Sequence, residues 1–379
     1  MDLLATEPIV DDDDLIAAAL SRLSVSALTA SVVQITGDPA YVRGPIRPRQ
    51  FVQNEFQGSL DADEQDQLRR DALKAICAWR DAGCPPPAAL PPDVIREVMD
   101  WVACEPVPAD TVALYAEEMD LAGENPRAIK LPAGAALPEG FSVLIVGLGA
   151  SGLLAGIRLR EAGIPFEIVE KNAGVGGAWF ENTYPGCRVD VASHFYSYSF
   201  ERNNDFSQYY TRQPELQAYF RKTMAERGIG EHVTWNTEVT RAVWDEDTAR
   251  WIVTLDGPEG VQTREAAAVI SGVGVLSRPL IPDIEGLDRF TGPVFHAAQW
   301  DHSVDLCGKR VALVGAGASG FQIGPAIVDD VAALTVFQRT PQWMAPNPRY
   351  HDDVTNGEKW VMRHLPGYAR WYRFMLMWQ

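Results

Sequence analysis

One pattern that occurs twice limits most strongly what this chain can become. An apolar strand, Val143–Val146, runs directly into Gly147-x-Gly149-x-x-Gly152, and the residues after it read as a helix. The same order returns at Val311–Val314 and Gly315-x-Gly317-x-x-Gly320, with the two turns starting 168 residues apart. In such a turn the first glycine makes the bend and the second lets the backbone approach a pyrophosphate. The third lets the helix pack close to the strand. The phosphates then sit on free amides at the helix N-terminus. The repeat is therefore a duplicated dinucleotide-binding unit and not a short solenoid repeat.

The residue that closes the second strand differs between the copies. In FEIVE it is Glu170, 18 residues past Gly152. A carboxylate there can bond both hydroxyls of a ribose. In LTVFQR it is Arg339, 19 residues past Gly320. A carboxylate would repel a 2′-phosphate, and an Arg binds it bidentately. The first unit suits an adenine dinucleotide without that phosphate, and the second suits NADP. The competing readings are a glycine turn without a ligand and a solvated surface Arg. Two such sites in one chain point to a flavoprotein, with FAD on the first unit and NADPH on the second. A disulfide reductase would need a redox cysteine pair after the first helix, where Cys187 stands alone.

The rest of the chain frames these units. Residues 1–138 read as helical. DDDDLIAAALSRL carries acidic residues at a helix start, where they complement the helix dipole. Residues 61–83 form a longer helix, CPPPAALPP is a break, and two short helices follow in PPDVIREVMDWVAC and PADTVALYAEEMDLAG. LPAGAALPEG, residues 131–140, reads as a Pro/Gly linker, and the stretch near VTWNTEVTRAVWDEDTARWIVTLDG reads as β-strands. The expected fold is α/β, with two Rossmann-like dinucleotide-binding domains behind an all-α N-terminal extension. The expected division is 1–138 for the extension, 139–280 for the FAD domain and 281–379 for the NADP domain.

Composition excludes several classes. With 33 Lys and Arg against 51 Asp and Glu, the formal charge is −18. A chain this acidic repels a phosphate backbone, so no nucleic-acid partner is expected. The five cysteines form no CxxC pair, so neither a metal knuckle nor a dithiol is expected, and reduced thiols fit a cytoplasmic protein. No run of about 18 apolar residues exists, so no membrane span is expected.

Between the two glycine turns lies Phe290-Thr-Gly292-Pro-Val-Phe-His296-Ala-Ala-Gln-Trp300-Asp301. This stretch matches FxGxxxHxxxW[PD] and resembles the fingerprint of type I Baeyer–Villiger monooxygenases. Related flavin monooxygenases that oxidise nitrogen or sulfur carry a similar stretch, usually without the Trp-Pro/Asp ending. GVGGAWFENTYPGCRVDVASHFYSYSF is similar to the family's GG[TVA]W…YPG…D segment. The resemblance implies that Gly176 and Gly177 admit the flavin and that Trp179 lies near its ring system. It implies a turn at Tyr184–Gly186 that presents Arg188 and Asp190, and a further flavin contact at Tyr196. It makes Asp190 and His296 the catalytic candidates: Asp190 by pairing with an active-site Arg, His296 by locking a domain hinge through hydrogen bonding. Core packing for Trp179 and Tyr196, turn capping for Asp190 and an ordinary histidine at His296 are the competing readings. Ser319 in the second turn, and Arg339 and Thr340 in FQRTPQW, join the coenzyme-binding candidates.

The family resemblance implies a reaction in which NADPH reduces FAD and one oxygen of O2 is inserted next to a ketone carbonyl, giving an ester or lactone. The partners are then a small aryl or alkyl ketone and O2, with a homodimer formed through the extension. That extension gives the chain the look of the 4-hydroxyacetophenone monooxygenase branch. The alternatives are an N- or S-oxidising flavin monooxygenase and a catalytically incomplete FAD-binding fragment. The family's essential Arg, in a Lys-Arg segment before a Tyr-Tyr stretch, has no match here. Residues 360–379 read as an amphipathic helix with nothing to cover it. The chain is therefore expected to be truncated at its C-terminus and to lack turnover alone.

Overall fold

The computed structural model describes residues 6–49, 56–87, 89–119, 121, 129–132 and 136–378. In chain order the first helices are α1 (Asp13–Leu20), α2 (Val25–Thr36), α3 (Ala40–Arg43), α4 (Ala62–Asp81), α5 (Pro92–Ala103) and α6 (Ala109–Glu118). Then follow β1 (Val143–Val146), α7 (Ala150–Glu161), β2 (Phe166–Val169), α8 (Ala178–Glu181), α9 (Gln213–Glu226) and β3 (Val233–Thr234). The remainder is β4 (Glu238–Asp245), β5 (Arg250–Gly257), β6 (Gly260–Ala266), β7 (Ala268–Ser271), β8 (Arg310–Val314), α10 (Ala318–Ile327), β9 (Ala333–Phe337), α11 (Asn356–His364) and α12 (Tyr368–Trp378).

These elements gather into two compact units. One comprises Met1–Pro126, Val189–Thr211 and Pro346–Gln379, and the other Arg127–Arg188 and Arg212–Ala345. The first unit is helical around one core. Asp12 caps α1 by accepting from the Leu15 amide at 2.9 Å, with Asp13 and Asp14 in the first turn. Asp61 and Glu64 form a reciprocal capping box on α4, and Thr355 and Glu358 do the same on α11. Helix α2 buries 11 of its 12 residues and so lies inside the unit, packed on α4, α5 and α12. Trp371, Tyr368, Tyr372 and Phe374 of α12 are buried in that core.

The second unit contains a parallel sheet of order β3-β2-β1-β7. Leu144 and Val169 from it meet Val253, Leu255 and Ala266 of the antiparallel β4-β5-β6 sheet in a small core. β8 and β9 pair in parallel, with Val311 opposite Leu334, and α10 connects them. This β8-α10-β9 piece repeats β1-α7-β2, as the duplicated motif requires.

Three expectations change. Within the stretch read as helical, α2 and α3 were not separately legible: α2, buried on nearly every side, carries no polar stripe to reveal its period, and α3 is a single turn. Residues 346–379, expected with the NADP domain, pack instead with the N-terminal helices. The apolar last helix is not uncovered: α2 and α5 cover it. Within the expected linker at 131–140, residues 133–135 lie outside the described residues.

Candidate functional site

At the first turn the strand β1 ends at Val146 and α7 begins at Ala150, so Gly147–Gly149 carry the chain around the helix N-terminus. Gly147 has φ +91°, the left-handed region that favours glycine. A Cβ on Gly152 would stand 1.9 Å from the Gly147 carbonyl oxygen, and one on Gly320 would stand 2.2 Å from that of Gly315. The third glycine of each motif is therefore demanded by the fold. The second is not. Gly149 and Gly317 have φ of −73° and −72°, which any residue adopts. A Cβ on Gly149 would make only ordinary contact, at 3.6 Å, and one on Gly317 would meet nothing within 4 Å. Their missing side chains leave the amides open to an outside group, and both sit at the positions where a pyrophosphate approaches.

Glu170 is buried beneath the first turn. Its Oε2 accepts from the Leu148 amide at 2.6 Å and its Oε1 from the Asn172 amide at 2.8 Å. The carboxylate thus holds the glycine turn, and each oxygen keeps a lone pair for a ribose hydroxyl. Gly177, at φ +55°, brings its backbone close to Gly149, where an added Cβ would be 3.0 Å from the Gly149 Cα. The Gly176 amide donates to the Leu148 carbonyl at 2.9 Å, which draws the Gly176–Gly177 pair onto the turn.

Trp179 is half-buried and packs with Tyr184, Cys187, Ile323 and Ile327. Burial pushes the Cys187 thiol up to about 11, so it is no nucleophile at neutral pH. Tyr184–Cys187 form the expected turn, closed by the Cys187 amide on the Tyr184 carbonyl at 3.1 Å. Arg188, which follows it, is buried, and its backbone is bonded to Gln322 of α10. Asp190 is exposed and Tyr196 half-buried, and both belong to the helical unit.

His296 caps its own 3₁₀ turn, Ala297–Gln299, with Nδ1 accepting from the Ala298 amide at 3.1 Å. That bond places the proton of a neutral ring on Nε2. Trp300 packs edge-on against Phe295 at 5.0 Å and, with Ala297, against the Tyr184 and Ile323 cluster. Ser319 is half-buried in the first turn of α10, and Arg339 and Thr340 are exposed just past the end of β9.

The second unit thus gathers Gly147, Gly149, Gly152, Glu170, Gly177, Trp179, Arg188, His296, Gly315, Gly317, Ser319, Gly320, Arg339 and Thr340. Sequence reasoning missed Gln217, whose Nε2 donates to the Val175 carbonyl at 2.8 Å just before the glycine pair, and it missed Gln322. Neither belongs to a motif, and only tertiary contact reveals them. Among the described residues no group of His, Cys, Asp and Glu could hold a metal ion, and no helix is long and apolar enough to cross a membrane.

Fold and turns together define a mixed α/β protein with a Rossmann-like NAD(P)-binding domain. Residues 145–212 match the family of NAD(P)-binding Rossmann-like domains, and residues 193–351 match that of L-lysine 6-monooxygenase/L-ornithine 5-monooxygenase. An uncharacterized monooxygenase of Sinorhizobium fredii, y4iD, is 37% identical over 365 residues, which is 96% of this chain and 54% of the relative. A Baeyer–Villiger monooxygenase of Pseudomonas aeruginosa is 48% identical over 207 residues, 54% of this chain and 39% of the relative. One of Streptomyces coelicolor is 42% identical over 240 residues, 63% of this chain and 45% of the relative. The chain spans about half the length of these curated relatives.

Among solved structures, OTEMO in complex with FAD and NADP superposes with a TM-score of 0.55 at 32% identity. The match covers 59% of this chain and 43% of that one. Cyclohexanone monooxygenase from Rhodococcus sp. Phi1 bound to NADP+ gives 0.54 at 34% identity, covering 59% and 42%. Baeyer–Villiger monooxygenases are thus among the proteins this chain is similar to, in sequence and in fold.

Proposed function

We propose that this chain serves an FAD- and NADPH-dependent monooxygenase of the Baeyer–Villiger type, inserting one oxygen of O2 beside the carbonyl of a small aryl or alkyl ketone. The observation that carries the reading is the pair of second glycines, Gly149 and Gly317, whose missing side chains the fold itself does not require. Bound there, the flavin would supply the oxygen chemistry and the nicotinamide the hydride. The residues present fit both groups. Glu170 stiffens the first turn and offers lone pairs to the FAD ribose, and Gly177 keeps its approach clear. Arg339 and Thr340 stand exposed to meet the NADP phosphate, and Ser319 offers a hydroxyl at the N-terminal turn of α10. Trp179 and Arg188 are assigned to the flavin side; for Asp190, acting through a partner Arg, and for Tyr196, both in the helical unit, that role rests on the family resemblance alone. His296 orders the connecting segment by capping its turn.

The helical extension supports a 4-hydroxyacetophenone monooxygenase-like branch and a homodimer formed through it. Five free cysteines support a reducing, cytoplasmic setting. The match of residues 193–351 to lysine and ornithine monooxygenases favours N-oxidation as the second reading. The discriminating experiment offers the native protein a ketone, a thioether and a primary amine in parallel with NADPH. An ester supports the proposal. Hydroxylamine as the sole product moves the function to the second reading, and failure to bind FAD removes both.

A further inference from the structure

We propose that Gln322 is a positioning residue that couples coenzyme occupancy at the second glycine turn to the flavin side of the first. The inference rests on the assignment of FAD to the first turn and NADP to the second. Gln322 lies on α10, two residues beyond Gly320, on the helix whose N-terminal amides would meet the coenzyme phosphates. Its side-chain amide makes three hydrogen bonds to one turn of the other nucleotide unit. Oε1 accepts from the Tyr184 hydroxyl at 3.0 Å and from the Arg188 amide at 3.3 Å, and Nε2 donates to the Arg188 carbonyl at 2.9 Å. Three of the four hydrogen-bonding positions of a primary amide are thereby committed. The turn lies directly on the helix: at Gly186, φ +81°, an added Cβ would be 2.6 Å from the Gln322 carbonyl oxygen and 2.9 Å from the Ala326 Cβ.

From this clasp an unbroken set of hydrogen bonds runs to the first glycine turn. Arg188 follows Cys187, whose carbonyl accepts from the Gln213 amide at 2.9 Å. The Gln213 side chain donates to the Trp179 carbonyl. The Trp179 amide donates to the Gly176 carbonyl at 3.1 Å, and the Gly176 amide to the Leu148 carbonyl at 2.9 Å. Tyr184, Cys187, Ile323 and Ile327 pack together beside the partly buried clasp. A shift of α10 on coenzyme binding therefore carries the Arg188 backbone with it, and that displacement reaches Trp179 and the glycine pair. A purely structural glutamine would hold the turn in place without linking the two ligands.

The test titrates the FAD-loaded full chain with NADP+, reading binding by calorimetry and the flavin by its absorbance. The parent is expected to show a flavin spectral change that saturates with NADP+ binding. Gln322→Leu is expected to keep FAD and to bind NADP+, with the flavin change reduced by about fivefold or more, the lower end of ordinary site-to-site coupling. Tyr184→Phe, which removes one of the three bonds, is expected to fall between them. Gln322→Glu keeps both acceptor contacts but sets a carboxylate oxygen against the Arg188 carbonyl in place of the donor; it is expected to reduce the flavin change likewise and carries the test if the leucine variant fails to load FAD. A flavin change in the folded variants equal to the parent's overturns the coupling role. So does a parent that binds NADP+ with no flavin change. A parent that binds neither FAD nor NADP+ overturns the functional reading beneath it instead.

Discussion

Glu170 and Arg339 hold equivalent places at the ends of β2 and β9, yet their settings differ. Glu170 is buried and bonded to two backbone amides, whereas Arg339 stands in solvent. An exposed Arg has no structural duty to lose, so Arg339→Ala should leave thermal stability unchanged. It should weaken NADPH binding by about 10- to 100-fold, the worth of a charge-assisted bond of about 1.5–3 kcal/mol, and barely affect NADH. Dissociation constants for the two coenzymes check this, and equal losses for both would remove Arg339 from the phosphate site.

His194 makes a second residue-scale prediction. Its ring is buried between Phe206 and Tyr372, and neither nitrogen has a hydrogen-bond partner among the described residues. Burial, helped by the charge of Lys359, holds its pKa down at about 4. An unfolded histidine titrates near 6.5, so between these values the unfolded chain binds the extra proton. The stability contribution is therefore complete above about pH 6.5 and is lost as the pH falls toward 4, by about 2.5 kcal/mol at pH 4.5. Urea unfolding at pH 7.5 and 4.5 should show this excess loss in the parent and not in His194→Phe. Equal losses would mean that the ring finds a proton partner on folding.

At the scale of elements, α11 depends on Glu358. Its carboxylate accepts from the Thr355 amide at 3.2 Å and the Thr355 hydroxyl at 2.9 Å, receives the Tyr209 hydroxyl, and lies 3.7 Å from Arg349. Glu358→Ala removes a helix cap, worth about 1 kcal/mol, and leaves a largely buried guanidinium without its counter-charge, which costs about 3–5 kcal/mol. The expected result is a fall in the denaturation midpoint corresponding to several kcal/mol; a change under about 1 kcal/mol would place Glu358 at the surface in solution. The capped helices α1 and α4 and the two glycine turns were legible, because caps and tight turns are local chemistry. Helix α2 was not, since VSALTASVVQIT has no polar face. Gln322 and Gln217 were not, since their partners lie 134 and 42 residues away.

At the scale of the whole molecule, one helical core is assembled from three separate stretches of chain. Four aromatic side chains of α12, buried in it, stabilise it by about 2 kcal/mol each. Their combined effect is comparable with the total stability of a domain, about 5–15 kcal/mol. Residues 1–126 expressed alone should therefore show no cooperative thermal transition by circular dichroism, whereas the full chain should. A sharp transition in that fragment would mean that the extension carries its own core, as the linear reading assumed.

The sequence by itself determined the two strand–turn–helix–strand repeats, their order, and the acid and the cation that follow their second strands. Each of these is a short pattern whose chemistry acts over a few residues of backbone. The tertiary structure alone decided that the last helices pack with the first, that segment 189–211 joins them, and that Gln322 clasps the Tyr184–Arg188 turn. Those outcomes depend on which apolar faces and amide groups meet after the chain has closed on itself. Side-chain burial and hydrogen bonding across long sequence separations leave no local periodicity to read.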